Sequence, residues 1–275
     1  MSTSGNGKSA GQLAGRVAVV SGGAQGIGLA IAQRFQREGA SVFVLDCDRK
    51  AGEAAAAKSN CPCSGVPLIF LPADLREEGE VRGAIEEVRK RGGHLDVLVN
   101  NAGIELERSV SEWTMAEWDL ILKVNLRGAF LLTQAALPLF PAEGGAIVNI
   151  SSVHATHAFP GSIPYACSKA GLIALTRNLA LELAPRHIRV NSVCPGYIDT
   201  RLWDEYLKKA ANSAELAAYT RALHPLGRRG LPADVADAVL FLAGQGSSFV
   251  TGSDLVVDGG LTLRAHAESD KTTDH

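Results

Sequence analysis

Tyr165 and Lys169 stand four residues apart, the spacing that puts two side chains on one face of a helix where both can reach one ligand. A free phenol titrates near ~10 and is a poor base at neutral pH. A neighbouring ammonium and a further positive charge bound beside it, such as an oxidised cofactor, both favour the phenolate and would lower that value, which would make Tyr165 a usable acid/base. Ser152, upstream of this pair, can bond the oxygen on which such a proton exchange takes place.

A second constellation lies near the amino terminus. The run Ser21-Gly22-Gly23-Ala24-Gln25-Gly26-Ile27-Gly28 follows an apolar segment, Val17 to Ser21, and opens a helical pattern. That context makes a glycine loop a dinucleotide site, because glycines permit the tight turn and let backbone N–H groups and the positive helix end approach a pyrophosphate. A phosphoryl-transfer loop would need Lys-Ser or Lys-Thr after the last glycine, whereas Gly28 is followed by Leu29-Ala30. The next apolar run ends at Asp46, 18 residues beyond Gly28, near the spacing at which a carboxylate accepts bonds from the adenosine ribose. A carboxylate there repels a 2′-phosphate, and Gln25 is neutral, so NAD is expected in preference to NADP, with Arg49 and Lys50 nearby as the contrary signal.

These residues need a frame to hold them. Val17 to Ser21, Ser41 to Asp46, Leu68 to Leu71, Asp96 to Val99, Ala146 to Ser151, Ile188 to Val193 and Asp254 to Val257 are short runs rich in Val, Ile and Leu and read as buried strands. Helical patterns alternate with them: Gly26 to Glu38, Lys50 to Lys58, Glu77 to Arg91, Ala116 to Leu137, Tyr165 to Leu183 and Pro232 to Leu242. Strands without polar-out alternation are covered on both faces, which predicts a doubly wound parallel sheet of seven strands, of Rossmann type, with helices on both faces. One domain is expected over 13–263, with polar tails at 1–12 and 264–275 and a substrate lid around 197–230.

Composition narrows the partners. The chain has 275 residues, 46% hydrophobic and 20% charged, with 27 Lys+Arg against 29 Asp+Glu for a net charge of −2. These proportions suit a globular domain and supply no broad basic field for nucleic acid or anionic membrane. No uninterrupted apolar stretch is long enough to cross a bilayer, and Gly128 to Phe140 is broken by Thr133, Gln134 and Pro138. The polar start, Met1 to Gly11, has no apolar signal core, so a cytoplasmic protein is expected. Five scattered cysteines, Cys47, Cys61, Cys63, Cys167 and Cys194, are expected as free thiols. Cys61-Pro62-Cys63 has no second ligand pair at zinc spacing, so no metal is expected.

Taken together, the motifs make the chain resemble the short-chain dehydrogenase/reductase family over nearly its whole length. Ser21-Gly22-x-x-x-Gly26-x-Gly28 matches the family's glycine motif with Ser in place of Thr, and Asp74-Leu75 matches the pair that meets adenine. Asn100-Asn101-Ala102-Gly103 matches the end of the fourth strand, and Asn125 corresponds to the catalytic Asn. Ser152, 13 residues before Tyr165, completes a tetrad with Tyr165 and Lys169. Pro195-Gly196-Tyr197-Ile198-Asp199-Thr200 resembles the nicotinamide-side turn, and Asp258-Gly259-Gly260 the end of the last strand. The resemblance implies that Lys169 also holds the nicotinamide ribose, that Asn125 positions water in a proton relay, and that Asp74, Leu75, Asn101, Gly103, Ile198 and Thr200 meet the cofactor. It further implies a homotetramer built on the helices Ala116 to Leu137 and Tyr165 to Leu183.

The substrate is less sharply marked. Gly103-Ile104-Glu105, Ser151-Ser152-Val153-His154 and Gly260-Leu261-Thr262-Leu263 resemble bacterial glucose 1-dehydrogenases within the family, which leans the expectation to a secondary alcohol that is a sugar or polyol. His154, two residues past Ser152, is placed either to touch such a substrate or as a surface-loop histidine. A hydrolase would need a Gly-x-Ser-x-Gly elbow, which is absent. The alternatives are a 3-oxoacyl carrier-protein reductase or other ketone reductase and, in a different class, a nicotinamide-binding sensor without turnover. Trp113 and Trp118 read as packing residues of a helix.

Overall fold

The computed structural model describes residues 11–59, 66–200, 203, 207 and 212–264. Seven strands, β1 (Val17–Ser21), β2 (Ser41–Asp46), β3 (Leu68–Pro72), β4 (Val97–Asn100), β5 (Gly145–Ile150), β6 (Ile188–Pro195) and β7 (Asp254–Val257), form one sheet in the order β3-β2-β1-β4-β5-β6-β7. All six pairings are parallel. The order reverses between β1 and β4, which opens a crevice at the carboxyl ends of those strands, where ligands of such sheets bind.

Alternation along each strand feeds two cores. Val17 and Val19 of β1 and Leu98 of β4 pack on one face, while Ala18 and Val20 of β1 and Val97 and Val99 of β4 pack on the other, as successive side chains of a strand must. The first face is covered by α3 (Glu78–Gly92), α4 (Met115–Leu122), α5 (Gly128–Ala136) and α6 (Ile163–Leu183), the second by α1 (Gly26–Arg37) and α8 (Pro232–Ala243). Among the described residues the remaining α-helices are α2 (Arg49–Ser59), beside β3, and α7 (Ser213–Ala222).

Two elements differ from the sequence reading. The helix expected over Ala116 to Leu137 begins at a capping box, in which Thr114 Oγ1 accepts from the Glu117 amide at 3.2 Å. It then widens into a π-helical turn over Lys123–Arg127 before resuming as α5. Single π-turns inside α-helices are typical of functional positions, and this one carries Asn125. By length and composition alone Met115–Leu139 would pass as a membrane span. Here its Ile121, Leu131, Leu132 and Ala136 are buried in the protein, so its apolar character belongs to the core. The second difference is α7, which lies inside the stretch expected as a lid. Residues 204–206 of that stretch, the Cys61 and Cys63 pair and most of both tails lie outside the described residues. Trp113 precedes the Thr114 cap, so it does not share a helix with Trp118. Cys47, Cys167 and Cys194 are free thiols.

Candidate active site

The glycine loop closes the end of β1 onto the start of α1. Gly22 sits at φ +61, in the left-handed region that favours glycine. A Cβ built on Gly28 would lie 2.2 Å from the Gly22 carbonyl oxygen, so the first helical turn can fold against the loop only without a side chain there. Asn101, at the end of β4, ties this turn across the crevice: its Nδ2 donates to Ser21 O at 3.0 Å and to Gly22 O at 2.9 Å. Gln25 is exposed at the helix start, Ile27 packs toward the second core, and Gly26 opens toward Thr200.

Asp46 faces the same loop. Its Oδ2 accepts from the Ala24 amide at 3.1 Å and its Oδ1 from the Asp48 amide at 3.0 Å. Asp74 is engaged differently: the Arg76 guanidinium bonds both of its oxygens, from Nε at 2.9 and 2.8 Å, and holds its carboxyl below the usual carboxylate range. Leu75 is buried under α5 in the first core, and Ile198 is buried in the second, bridged to Gly230.

On the other side of the crevice, β5 and α6 bring the proton chemistry together. Ser152 is buried at the end of β5 and hydrogen-bonded to the Tyr165 phenol. Lys169, one turn on along α6, has its Nζ 5.4 Å from the Tyr165 ring centre and donates to Ile150 O at 2.8 Å. That is the one hydrogen bond its ammonium makes among the described residues, which leaves two of its three donors without a partner there. Gly103 lies against Lys169 Nζ and the Asn125 side chain.

Asn125 itself is fully committed as a donor. Its Oδ1 accepts from the Ile104 amide at 2.8 Å, while its Nδ2 donates to Ile104 O at 2.9 Å and to Ser168 Oγ at 3.0 Å. The side chain thereby pins the loop after β4 to α6. Any water held at this position would have to be bonded by the main chain or by the remaining Oδ1 lone pair.

The ammonium and an oxidised nicotinamide are together expected to lower the phenol, whereas the protein groups alone raise it. The ammonium does not lower the phenol in the protein alone: burial pushes Tyr165 up, the Glu105 carboxylate adds to that rise, and the Ser152 bond is the opposing influence. Burial also brings Lys169 down to about 8, against a raising effect of Glu105. Tyr165 is therefore protonated at neutral pH, in the state that gives a proton to a developing alkoxide, and accepting one requires further positive charge beside it.

Sequence reasoning met Glu105 only within Gly103-Ile104-Glu105, as part of the substrate resemblance, and the structure places it among these groups. Its Oε1 accepts from Ser162 Oγ at 2.8 Å and lies 3.8 Å from His154 Nδ1, and burial raises its carboxyl. His154 is not a surface histidine. Its ring stacks on Phe159 at 4.2 Å and meets the Tyr165 ring edge-on at 5.3 Å, and burial brings it down to about 4. Glu105 is half-buried, and only the folded loop shows that it faces His154.

Residues 22–262 match the family described as enoyl-(acyl carrier protein) reductase. A Burkholderia xenovorans structure assigned to the short-chain dehydrogenases/reductases is 35% identical, with a TM-score of 0.88 over 94% of this chain and 100% of that one. The chain belongs to the short-chain dehydrogenase/reductase family. Its curated relatives include an uncharacterised oxidoreductase of Thermotoga maritima, 37% identical over 92% of this chain and 98% of the relative. A 3-oxoacyl-[acyl-carrier-protein] reductase of the same organism is 37% identical over 92% of this chain and 100% of the relative. The cyclopentanol dehydrogenase of Comamonas sp. is 39% identical over 92% of this chain and 99% of the relative.

As in other short-chain dehydrogenases/reductases, the cofactor class is a nicotinamide dinucleotide, and the crevice fits one. The turn at Gly22 and Gly28 leaves no side chain between the loop and the α1 amino terminus. The Asp46 carboxylate stands at its flank, and Lys169 keeps free donors at the far end.

Proposed function

We propose that the protein is an NAD-dependent oxidoreductase acting on a secondary alcohol or the corresponding ketone. The observation that carries this reading is the Tyr165 phenol, hydrogen-bonded to Ser152 and one helical turn from a buried ammonium with unused donors. The bound nicotinamide supplies the hydride donor or acceptor. Ser152 donates to the reacting oxygen, Tyr165 gives or takes its proton, and Lys169 holds the ribose and favours the phenolate when an alcohol is oxidised. Asn125 keeps the loop after β4 in place beside them. Gly22, Gln25, Gly26, Ile27, Gly28, Asp46, Asp74, Leu75, Asn101, Gly103, Ile198 and Thr200 are assigned to cofactor contacts, with Leu75 and Ile198 through their backbones because their side chains are buried. Asp46 underlies the preference for NAD.

His154 is assigned to the substrate, and its place beside Tyr165 and Glu105 supports a sugar or polyol. A second reading, reduction of a 3-oxoacyl group on a carrier protein, is favoured by relatives such as the Thermotoga reductase. The protein is further proposed to be a cytoplasmic homotetramer paired through α4, α5 and α6, a reading supported by the exposed Phe130, Ile163 and Leu181 on those helices. The test follows reduced-nicotinamide absorbance with NAD and NADP against sugars, polyols, hydroxy acids and cyclic alcohols, and in reverse against a 3-oxoacyl thioester. Reduction of NAD by an alcohol is expected. Turnover confined to the thioester with NADPH would establish the second reading, and absence of any turnover would leave a nicotinamide-binding sensor.

A further inference from the structure

We propose that Glu105 and His154 form a pair that reads a second hydroxyl group, on the carbon next to the reacting one, in the substrate of this enzyme. The inference rests on the oxidoreductase reading and adds to it the residue that selects among alcohols.

The argument begins with an orphaned atom. Among the described residues His154 Nδ1 is sealed from solvent and has no hydrogen-bond partner, a state that costs free energy unless a partner is within reach. The acceptor that approaches it is Glu105 Oε1, at 3.8 Å. Neither partner is free to wander. The His154 ring is fixed flat on Phe159 with an interplanar angle of 13° and edge-on to Tyr165 at 86°, and its amide donates to Ser152 Oγ at 3.2 Å. Glu105 is held by Ser162, and its neighbour Ile104 is clasped by Asn125 through both backbone groups. A closure of about 1 Å brings the pair to hydrogen-bond length.

That bond sets the tautomer, since the nitrogen that carries the proton is chosen by the partner of the ring. With Nδ1–H given to Glu105, Nε2 carries the lone pair. Nε2 has no partner among the described residues and, unlike Nδ1, is not sealed. It therefore accepts from whatever donor enters the crevice. The ring lies 5.3 Å from that of Tyr165, so the donor sits beside the reacting oxygen, as the second oxygen of a vicinal diol does. The same surroundings favour a hydroxyl over an ammonium: burial brings His154 down to about 4 and raises Glu105, and the wall beyond is aromatic, with Phe159 meeting Tyr197 at 6.2 Å. Ser152 and Tyr165 act on the reacting oxygen; Glu105 acts through His154 and is a positioning residue.

The experiment compares trans-1,2-cyclopentanediol with cyclopentanol, using whichever of NAD and NADP gives the higher rate. The quantity read is the ratio of kcat/KM for the diol to that for cyclopentanol, which divides out any loss of folded enzyme. The unmodified enzyme is expected to favour the diol by about tenfold or more, the worth of one good hydrogen bond. Glu105→Leu and His154→Phe should each bring that ratio close to one, with the change in KM for the diol. Glu105→Gln should keep it within about threefold, because an amide oxygen still accepts from Nδ1–H. A ratio near one in the unmodified enzyme overturns the inference and leaves the oxidoreductase reading standing. So does a ratio that falls equally in Glu105→Leu and Glu105→Gln. Turnover of neither alcohol overturns the inference, and the oxidoreductase reading falls with it only if the wider panel of alcohols and the thioester also give no turnover.

Discussion

The two edges of the sheet handle charge in opposite ways. At the amino edge, a cavity of about 590 Å³ opens between the starts of β1, β4, β5 and β6, lined by Arg16, Asp96, Glu143, His187 and Arg189 among others. Its buried carboxylate is held by donors: Asp96 accepts from Arg16 at 2.6 Å and from the Val17 amide at 2.8 Å, and lies 2.9 Å from His94 Nε2. Arg189 gives its donors to Leu242 O, Ser247 Oγ and Gly244 O. At the carboxyl edge, Tyr165, Lys169, Glu105 and His154 are desolvated together, each is shifted by burial first, and each keeps hydrogen-bonding capacity to spare. At the amino edge, Asp96, Arg16 and Arg189 are thus held by partners within the fold. Function is therefore better marked by desolvated groups with open valences than by empty volume.

The comparison breaks if removing a group at the carboxyl edge harms the fold more than the chemistry. Tyr165→Phe deletes one hydroxyl from a ring that still fills its place. Turnover on the best alcohol should fall at least ~100-fold, about 3 kcal/mol in the barrier, while the urea midpoint stays close to that of the unmodified protein. Lys169→Ala should lower both turnover and NAD affinity, as fluorescence titration would register.

At the amino edge the reverse is expected. Asp96→Ala strips the partner from the Val17 amide and from Arg16 and should lower stability by about 2 to 3 kcal/mol. The kcat per folded enzyme should be unchanged, since the residue is at the opposite end of β4 from Asn101. Equal losses of stability in Asp96→Ala and Tyr165→Phe would erase the distinction between the edges.

Asp46→Ala sharpens the carboxyl edge into cofactor and proton halves. It should narrow the preference for NAD over NADP by about 1 to 3 kcal/mol, read as the ratio of kcat/KM values, and leave the pH dependence of turnover in place. Unmodified enzyme that uses both cofactors equally well would remove the premise.

The smallest effect concerns His154 and pH. Its proton is disfavoured in the folded protein, at about 4 against an ordinary 6.5, so the unfolded chain takes up the proton first as pH falls. The group then draws stability down across the window from about 6.5 to about 4 and contributes nothing above it. His154→Phe should lose less stability than the unmodified protein between about pH 7 and pH 4.5, followed by urea unfolding; parallel losses would mean that the imidazole is not desolvated.

Particular elements show why some features were legible and others not. The strand runs are visible because both faces of each strand are covered, so burial is written as unbroken Val, Ile and Leu: β1 and β2 begin and end where the apolar runs do. In α7 only Thr220 is buried, so the segment has no apolar stripe to announce a helix and was taken into the lid. The π-turn at Lys123–Arg127 is set by contacts of Asn125 with Ile104 and Ser168, residues 21 and 43 positions away, and no local periodicity encodes such a contact.

The sequence by itself determined the strand and helix alternation, the glycine turn that needs positive φ, and the Tyr165–Lys169 spacing, because each depends on residues within a turn or two of one another. Tertiary structure alone decided how those groups titrate and what they face. Whether an ammonium or burial governs Tyr165 depends on how much water the packed crevice excludes, and burial prevails. Likewise Glu105 and His154, far apart in the chain, face each other only because Asn125 folds the loop after β4 onto α6. Desolvation and long-range hydrogen bonds are properties of the packed molecule, and spacing carries no record of them.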